Sequence, residues 1–203
     1  MIVKNIFKIC LFFVFLGLSQ IVYAQRFSPD YWHDGGVVLK SGDTLTGKLY
    51  YTLSDNSVQL EVACNKRFYK AFKLQSVFFE NVLDSTLRTV YVYNYKLPNG
   101  YEQPQLFEPL YVDSIVSLLG RERLVFMAKG PGIGGGVEMG YDFYVKFKNG
   151  RIKYISPKKK EFLDAFPDEK KRLADFIKER KTDFNSLRDV KELVAFYNLI
   201  KQI

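Results

Sequence analysis

Histidine and cysteine, which commonly bind zinc or assist nucleophiles, are scarce in this chain. Among 203 residues there are one histidine, His33, and two cysteines, Cys10 and Cys64. Zinc usually takes three or four Cys, His or carboxylate ligands, and no H-E-x-x-H pattern or cysteine pair supplies them. A histidine-dependent nucleophile would rely on His33 alone, without a G-x-S-x-G elbow. We therefore predict no metal centre, no cofactor and no catalysis of this kind, and expect His33 to be structural or exposed.

A hydrophobic run long enough to span a bilayer is also missing. The apolar run near the N-terminus, residues 9–18, has ten residues, whereas a transmembrane helix needs about 20. Lys4 and Lys8 precede the run and Val22-Tyr23-Ala24 follows it, which is the layout of a secretory signal peptide. We predict a signal peptide over residues 1–24, export to the periplasm, the outer membrane or the exterior, and no transmembrane span in the mature form.

Loss of the signal peptide would leave Cys64 as the only thiol. An intramolecular disulfide is then excluded, so the thiol is either buried or linked to another molecule. The apolar neighbours Val62 and Ala63 favour a buried thiol.

Positive charge is concentrated in the C-terminal part of the chain. The formal net charge is +8, yet residues 25–145 carry 12 basic and 13 acidic side chains, whereas residues 146–203 carry 16 and 9. Such a basic region attracts anionic lipid headgroups, polyanionic envelope polymers or an acidic partner protein, although it is also compatible with a solvated helix surface. Nucleic acid is not an expected partner of an exported protein whose basic residues lack interleaved aromatics. The candidate contact residues form two clusters: Lys158, Lys159, Lys160, Lys170, Lys171 and Arg172.

Short β-strands are predicted from Val37 to about Ser156. Apolar and aromatic runs are separated by turn signals such as Ser41-Gly42-Asp43 and Pro98-Asn99-Gly100. About ten strands are expected, mostly antiparallel because their links are short. The clearest hairpin joins residues 141–148 to residues 151–155 through Asn149-Gly150, for which we predict a type I′ turn.

Three amphipathic helices are predicted after Ser156. Ser156 suits the N-cap of a helix over residues 158–166, which Pro167 ends. A second helix is expected over residues 168–181, and a third after a cap at Asn185 or Ser186. Each helix must bury its apolar stripe, most simply on the preceding sheet or a neighbouring helix. In the third helix the stripe comprises Leu187, Val190, Leu193, Val194, Tyr197 and Ile200.

A glycine cluster near residue 130 formally fits the G-x-G-x-x-G pattern. A dinucleotide site would need a helix directly after it, but the pattern from residue 137 to residue 148 predicts a strand. We therefore predict a flexible loop between strands, which could act as a gate or a plain connection. The loop residues are Gly130, Gly132, Gly134, Gly135 and Gly136.

Paired carboxylates offer the remaining catalytic possibility. Two such groups can hydrolyse a glycosidic bond without histidine when they flank it at the required separation. The candidates lie on or near predicted strands, where such residues commonly face outward or end a strand: Glu80, Glu108, Glu122 and Asp142.

The stretch from Gly36 to Tyr50, GVVLKSGDTLTGKLY, resembles the opening of a group of secreted β-rich proteins of Bacteroidota-type bacteria. Those proteins share the signal peptide, a G-D-T-x-x-G hairpin and a β-rich body, and some carry a Tyr-Asn pair near the end, as Tyr197-Asn198 does here. The resemblance implies an envelope location and no assigned activity. The same hairpin is similar to the first turn of small SH3-like or Sm-like barrels, a likeness of fold only.

These observations predict a β-rich α+β protein. Residues 25–156 are expected to form a curled antiparallel sheet or incomplete barrel, and residues 157–203 three short helices packed on it. The leading function is a non-enzymatic envelope protein that binds a partner protein or an anionic surface through its basic helices. One alternative is a carrier of a small apolar ligand or lipid in the curled sheet, gated by the glycine loop. Another is a carboxylate-dependent hydrolase.

Overall fold

The computed structural model describes residues 31–52, 56–82, 85–127 and 136–202. The predicted signal peptide and Gly130, Gly132, Gly134 and Gly135 lie outside these described residues.

The described residues form ten antiparallel strands in one open sheet, with the spatial order β10-β9-β8-β7-β6-β5-β1-β2-β3-β4. The β-rich class, the strand number and the incomplete barrel are therefore confirmed. The strands are β1 (His33–Leu39), β2 (Thr44–Thr52), β3 (Ser57–Val62), β4 (Asn65–Lys70), β5 (Leu74–Glu80), β6 (Leu87–Lys96), β7 (Glu102–Tyr111), β8 (Val116–Met127), β9 (Gly136–Phe147) and β10 (Ile152–Ile155).

Strand β7 divides the sheet into two parts. Its residues 102–107 pair with β6, and its residues 108–111 pair with β8. Strands β1 to β7 therefore form one part and strands β7 to β10 the other. Because β7 is shared, the two parts form a continuous surface.

The first part is curled tightly enough to bury its own inner face. Val37 of β1, Val77 of β5 and Val90 of β6 belong to one buried cluster, whose other buried members come from the strands and from Ala71 in the 3-10 turn before β5. A single layer can exclude water from one face only by folding over it, so the sheet itself covers this core. Gly47 of β2 permits the curvature, because a Cβ there would lie 2.1 Å from the carbonyl oxygen of Glu61 on β3.

Asn56 holds the curl shut. Its side-chain Nδ2 donates to the carbonyl of Pro104 at 2.8 Å, and the N–H of Leu106 donates to its Oδ1 at 2.8 Å. Asn56 precedes β3, and Pro104 and Leu106 lie on the length of β7 that has no pairing to β8. The Asn56 side chain therefore reaches across the curl and bonds backbone groups of β7 where that strand does not pair with β8.

Three tight turns share one geometry, in which a glycine supplies the only positive φ. In the β9–β10 hairpin, Gly150 N–H donates to the carbonyl of Phe147 at 2.8 Å, and the φ of Gly150 is 82°. Gly42 and Gly100 repeat this arrangement. The hairpin prediction is confirmed, but the type I′ prediction is wrong. Type I′ needs positive φ at both central residues, and here a type I turn followed by a glycine bulge closes the hairpin.

A type I′ conformation occurs instead between β3 and β4, at Ala63 and Cys64. Their φ angles are 48° and 65°, which places both residues in the left-handed region. The Cys64 side chain is exposed. The buried thiol expected from its apolar neighbours is therefore wrong, because the residue lies at the tip of a two-residue hairpin turn rather than within a strand.

Three short helices follow the sheet, as predicted: α1 (Lys159–Leu163), α2 (Lys170–Arg180) and α3 (Leu187–Gln202). A 3-10 turn, Pro167–Glu169, occupies the predicted start of α2. Ser156 does not cap α1, because the helix begins later and its N-cap is Lys158, which makes no side-chain bond to the helix. Ser186 caps α3, since its Oγ accepts the N–H of Asp189 at 3.3 Å.

The helices cover the inner face of β8 to β10. Leu118, Val145 and Ile155 from the strands pack with Leu173 and Leu193 from the helices in a second buried cluster. Asn198 of α3 is 1% exposed and bonds the backbone of Val116 on β8 twice. Its Oδ1 accepts the Val116 N–H at 2.9 Å, and its Nδ2 donates to the Val116 carbonyl at 2.8 Å. No described helix is long and apolar enough to cross a membrane.

Candidate functional site

A buried ionic network lies on the inner face where the two parts of the sheet meet. Arg88 of β6 forms a two-pronged ion pair with Glu108 of β7, its Nε donating to Oε1 at 2.9 Å. Its Nη1 lies 2.8 Å from Oε1 of Glu122 on β8. The hydroxyl of Tyr141 on β9 donates to Glu108 at 3.2 Å. Four adjacent strands each contribute one side chain to this network.

Strand register explains why these side chains meet. Glu108 lies opposite Gly120, and Glu122 lies opposite Tyr141. A Cβ at position 120 would lie 2.7 Å from the Tyr141 ring, so the glycine provides the space that the tyrosine occupies. The network therefore depends on four strands being in register around one small residue.

Burial controls the ionisation of this network. The Glu122 side chain is 4% exposed, and its Oε2 has no hydrogen-bond partner among the described residues. Burial raises the pKa of Glu122, although Arg88 opposes that shift. The charges of Glu108 and Glu122 in turn raise the pKa of Arg88 against its own burial. The Arg88 guanidinium thus pairs with two carboxylates, and one oxygen of Glu122 is left without a hydrogen-bond partner among the described residues.

The predicted catalytic carboxylates are only partly brought together. Glu108 and Glu122 meet, but Arg88 lies between them and both side chains are largely buried. Glu80 is exposed on β5, and Asp142 lies on the outer face, paired with Arg123 at 3.0 Å. The positive charge of Arg88 and the carboxylates of Glu108 and Glu122 therefore neutralise one another in the core.

His33 is a core residue close to this network. It is fully buried, its ring lies 5.0 Å from that of Phe79, and its Nδ1 accepts the N–H of Val82 at 3.3 Å. Burial, followed by the charge of Arg88, lowers the pKa of His33. Among the described residues, no cluster of three His, Cys, Asp or Glu side chains is placed to hold a metal ion.

The basic helical segment, residues 157–203, leaves all six predicted contact cations exposed. Three of them have acidic partners: Lys158 pairs with Glu161 at 3.3 Å, Lys170 with Asp164 at 2.7 Å, and Arg172 with Glu169 at 3.7 Å. In the described part of the chain, no acidic group lies within 4 Å of the other three: Lys159, Lys160 and Lys171.

The two basic clusters are brought together around Asp164. The charges of Lys170, Lys160 and Lys153 act on this exposed carboxyl and lower its pKa, and the hydrogen bond from Lys170 has the largest effect. Lys153 of β10 also donates to the backbone carbonyl of Asp164 at 3.0 Å. Three lysines from three elements thus surround one acidic group, which leaves this surface positive.

The glycine loop receives one correction. Gly136 is the first residue of β9 and pairs with Met127 of β8, so it belongs to a strand. The long β8–β9 hairpin extends further than the apolar pattern suggested, because backbone pairing continues into the glycine-rich sequence.

A tyrosine face, which the sequence prediction missed, covers the outer side of β6 to β10. Tyr95 makes edge contacts with Phe107 and Tyr144, at ring centroid distances of 5.9 and 5.3 Å. Arg121 lies over the Phe107 ring and bonds Gln105, and Lys146 lies over Tyr93 at 4.5 Å. The alternation of Tyr91-x-Tyr93-x-Tyr95 was a readable signal of this face. The tyrosine face comprises Tyr91, Tyr93, Tyr95, Phe107, Tyr144 and Tyr154.

Comparisons with protein families, curated proteins and solved structures found no match to this chain.

Replacing Glu122 by glutamine is expected to change how stability depends on pH. A raised folded-state pKa means that the fold favours neutral Glu122. Its stabilising contribution is therefore present below the ordinary pKa of 4.5 and is lost as pH rises through the folded-state value. Subtracting the unfolding free energy of Glu122→Gln from that of the wild type should give a difference that falls from pH 4 towards neutrality.

Urea denaturation across this pH range measures the difference. The matched control is Glu102→Gln, which changes an exposed glutamate on β7 outside the network. The interpretation is contradicted if the Glu122 difference does not change with pH, or if it rises with pH.

Proposed function

We propose that this protein is a non-enzymatic, exported envelope protein whose basic helical segment binds an anionic surface. The observation that carries this proposal is the gathering of Lys153, Lys160 and Lys170 around Asp164, next in sequence to Lys159 and Lys171, which have no acidic partner within 4 Å among the described residues. Positive charge concentrated in this way attracts anionic headgroups or polymers, most strongly at low ionic strength.

The packing of the helices supports the same proposal. Their apolar side chains are buried against the strands, while the lysines of α1 and the start of α2 face solvent. Binding would therefore require no helix to leave the sheet. Since each lysine near an anionic membrane surface contributes about 1 kcal/mol, several together give measurable affinity.

Neutralising the three cations without acidic partners is expected to weaken binding by tenfold or more. The measurement is co-sedimentation of the mature protein with phosphatidylglycerol vesicles and with envelope fractions, at low and high salt. Binding should fall with salt and be absent from neutral phosphatidylcholine vesicles. The variant combines three substitutions: Lys159→Gln, Lys160→Gln and Lys171→Gln.

A matched variant removes the same charge from two strands and the β9–β10 turn and should retain wild-type binding. It replaces three exposed lysines that have no acidic partner within 4 Å in the described ranges: Lys70→Gln, Lys96→Gln and Lys148→Gln. Equal losses in both variants, no binding at any salt, or native protein found only in the cytosolic fraction would contradict the proposal.

The tyrosine face supports a second function, recognition of a partner protein. Tyrosine and arginine are the side chains most often responsible for affinity at protein interfaces, because they combine large contact area with hydrogen bonding. Tyr91 and Tyr154 are each 41% exposed, whereas Phe107, which contacts Tyr93, Tyr95 and Tyr144, is fully buried. The face is thus an aromatic layer with accessible rings at its edges. It lies opposite the helices, so both surfaces can be occupied together.

Site-specific photo-crosslinking in the native cell tests this second function. A benzoyl-phenylalanine at position 91 or 154 is expected to give one discrete adduct. The control places the same group at Leu199, which is 56% exposed on α3 and should not give that adduct. Absence of an adduct from both tyrosine positions, or the same adduct from position 199, would contradict the assignment.

A further inference from the structure

A groove of about 790 Å³ opens between the β1–β2 turn and the segment that runs from β4 into β5. Its base is apolar: Leu39, Leu45 and Tyr69 line it and pack against the buried core of the curl. The volume is in the range of sites that hold small molecules. The groove is therefore a shallow extension of the core that the sheet leaves uncovered.

The rim of the groove is cationic. Lys40 comes from the β1–β2 turn, Arg67 from β4, and Lys73 from the 3-10 turn Ala71–Lys73. The N–H of Lys40 donates to the carbonyl of Lys73 at 3.0 Å, which fixes the two segments relative to each other. Across the described residues, none of the three cations has an acidic group within 4 Å.

Only one acidic side chain, Asp43, lines this groove among the described residues. Its Oδ2 accepts the Ser41 hydroxyl at 2.7 Å, so one carboxylate oxygen is engaged within the turn. The lining therefore has an excess of two positive charges above an apolar base. The hairpin on which the sequence resemblance rests thus forms one wall of a chemically distinct site.

We propose that this groove binds a small amphiphilic anion, with its apolar body against Leu39, Leu45 and Tyr69. The guanidinium of Arg67 presents paired donors that match a carboxylate or a phosphate, and the two lysines add charge without demanding one geometry. A neutral apolar molecule would offer the three cations no anionic partner. We therefore expect the groove to prefer a ligand with an anionic head group. This site is separate from the basic helical segment.

Titration calorimetry of the mature protein with three probes tests the proposal. Dodecanoate and dodecyl phosphate carry the same chain with different anionic heads, and dodecanol is their neutral counterpart. At least one anionic probe is expected to bind saturably, at least tenfold more tightly than dodecanol. The stronger of the two anions identifies the head group.

The double variant Arg67→Gln, Lys73→Gln should weaken binding of the preferred anion by at least tenfold. Lys70→Gln is the control, because Lys70 alternates with Tyr69 on β4 and does not line the groove. All altered residues are exposed, and thermal unfolding of each variant checks that it is folded.

Three outcomes would overturn the inference: saturable binding of neither anion, equal binding of dodecanol, or unchanged affinity in the folded double variant. Vesicle binding is measured separately with the helical lysine variant. A lack of anion binding in the groove and a lack of vesicle binding by the helical segment therefore give different results.

Discussion

The curl of the first seven strands depends on the Asn56 side chain. In a flat sheet β3 and β7 would be five strand spacings apart, or about 24 Å, yet Asn56 bonds Pro104 and Leu106 at 2.8 Å each. Its φ of 51° turns the chain at the point where the side chain must reach β7. Asparagine tolerates this conformation better than most residues and has both a donor and an acceptor to offer. Once this contact forms, the inner face is enclosed.

The properties of the groups inside the curl follow from that enclosure. Burial of the inner face raises the pKa of Tyr51, and the charges of Arg88 and Glu122 act on it across the curl. Breaking a buried ion pair by removing one partner is costly, so the Arg88 network also requires the strands to stay in register. Asn198, like Asn56, bonds backbone groups through its side-chain amide, and these bonds fix α3 to β8. Two asparagines thus use side-chain amides where strand pairing is absent.

Features set by local chemistry could be predicted from the sequence. The Asn149-Gly150 hairpin, the three amphipathic helices and the strand number all follow from short-range patterns. The turn type was missed because Asn-Gly is compatible with two hairpin geometries that differ by one residue in loop length. The Cys64 thiol was predicted to be buried because its neighbours Val62 and Ala63 are apolar, whereas the pairing of β3 with β4 places a tight turn there.

Features that join distant residues could not be predicted. Glu108 and Glu122 were recognised as candidates, but nothing local indicates that Arg88 lies between them. The contact of Asn56 with Leu106 spans 50 residues and leaves no periodic signal. The helical cations are exposed, and the convergence of Lys153, Lys160 and Lys170 on Asp164 depends on how α1, α2 and β10 pack. The proposed binding surfaces therefore depend on a fold that only the long-range contacts define.

Amide hydrogen exchange at Leu106 in an Asn56→Gly variant tests the central claim most directly. Glycine keeps the positive φ without strain, so in the folded state the change removes the two side-chain hydrogen bonds; the extra freedom it gives the unfolded chain is matched in the control. The account predicts rapid exchange at Leu106 and a loss of about 2 kcal/mol in unfolding free energy, at about 1 kcal/mol per bond. The control Asn149→Gly removes a local turn contact and should leave Leu106 protected. If Leu106 stays protected and stability is unchanged in Asn56→Gly, the curl does not depend on this side chain.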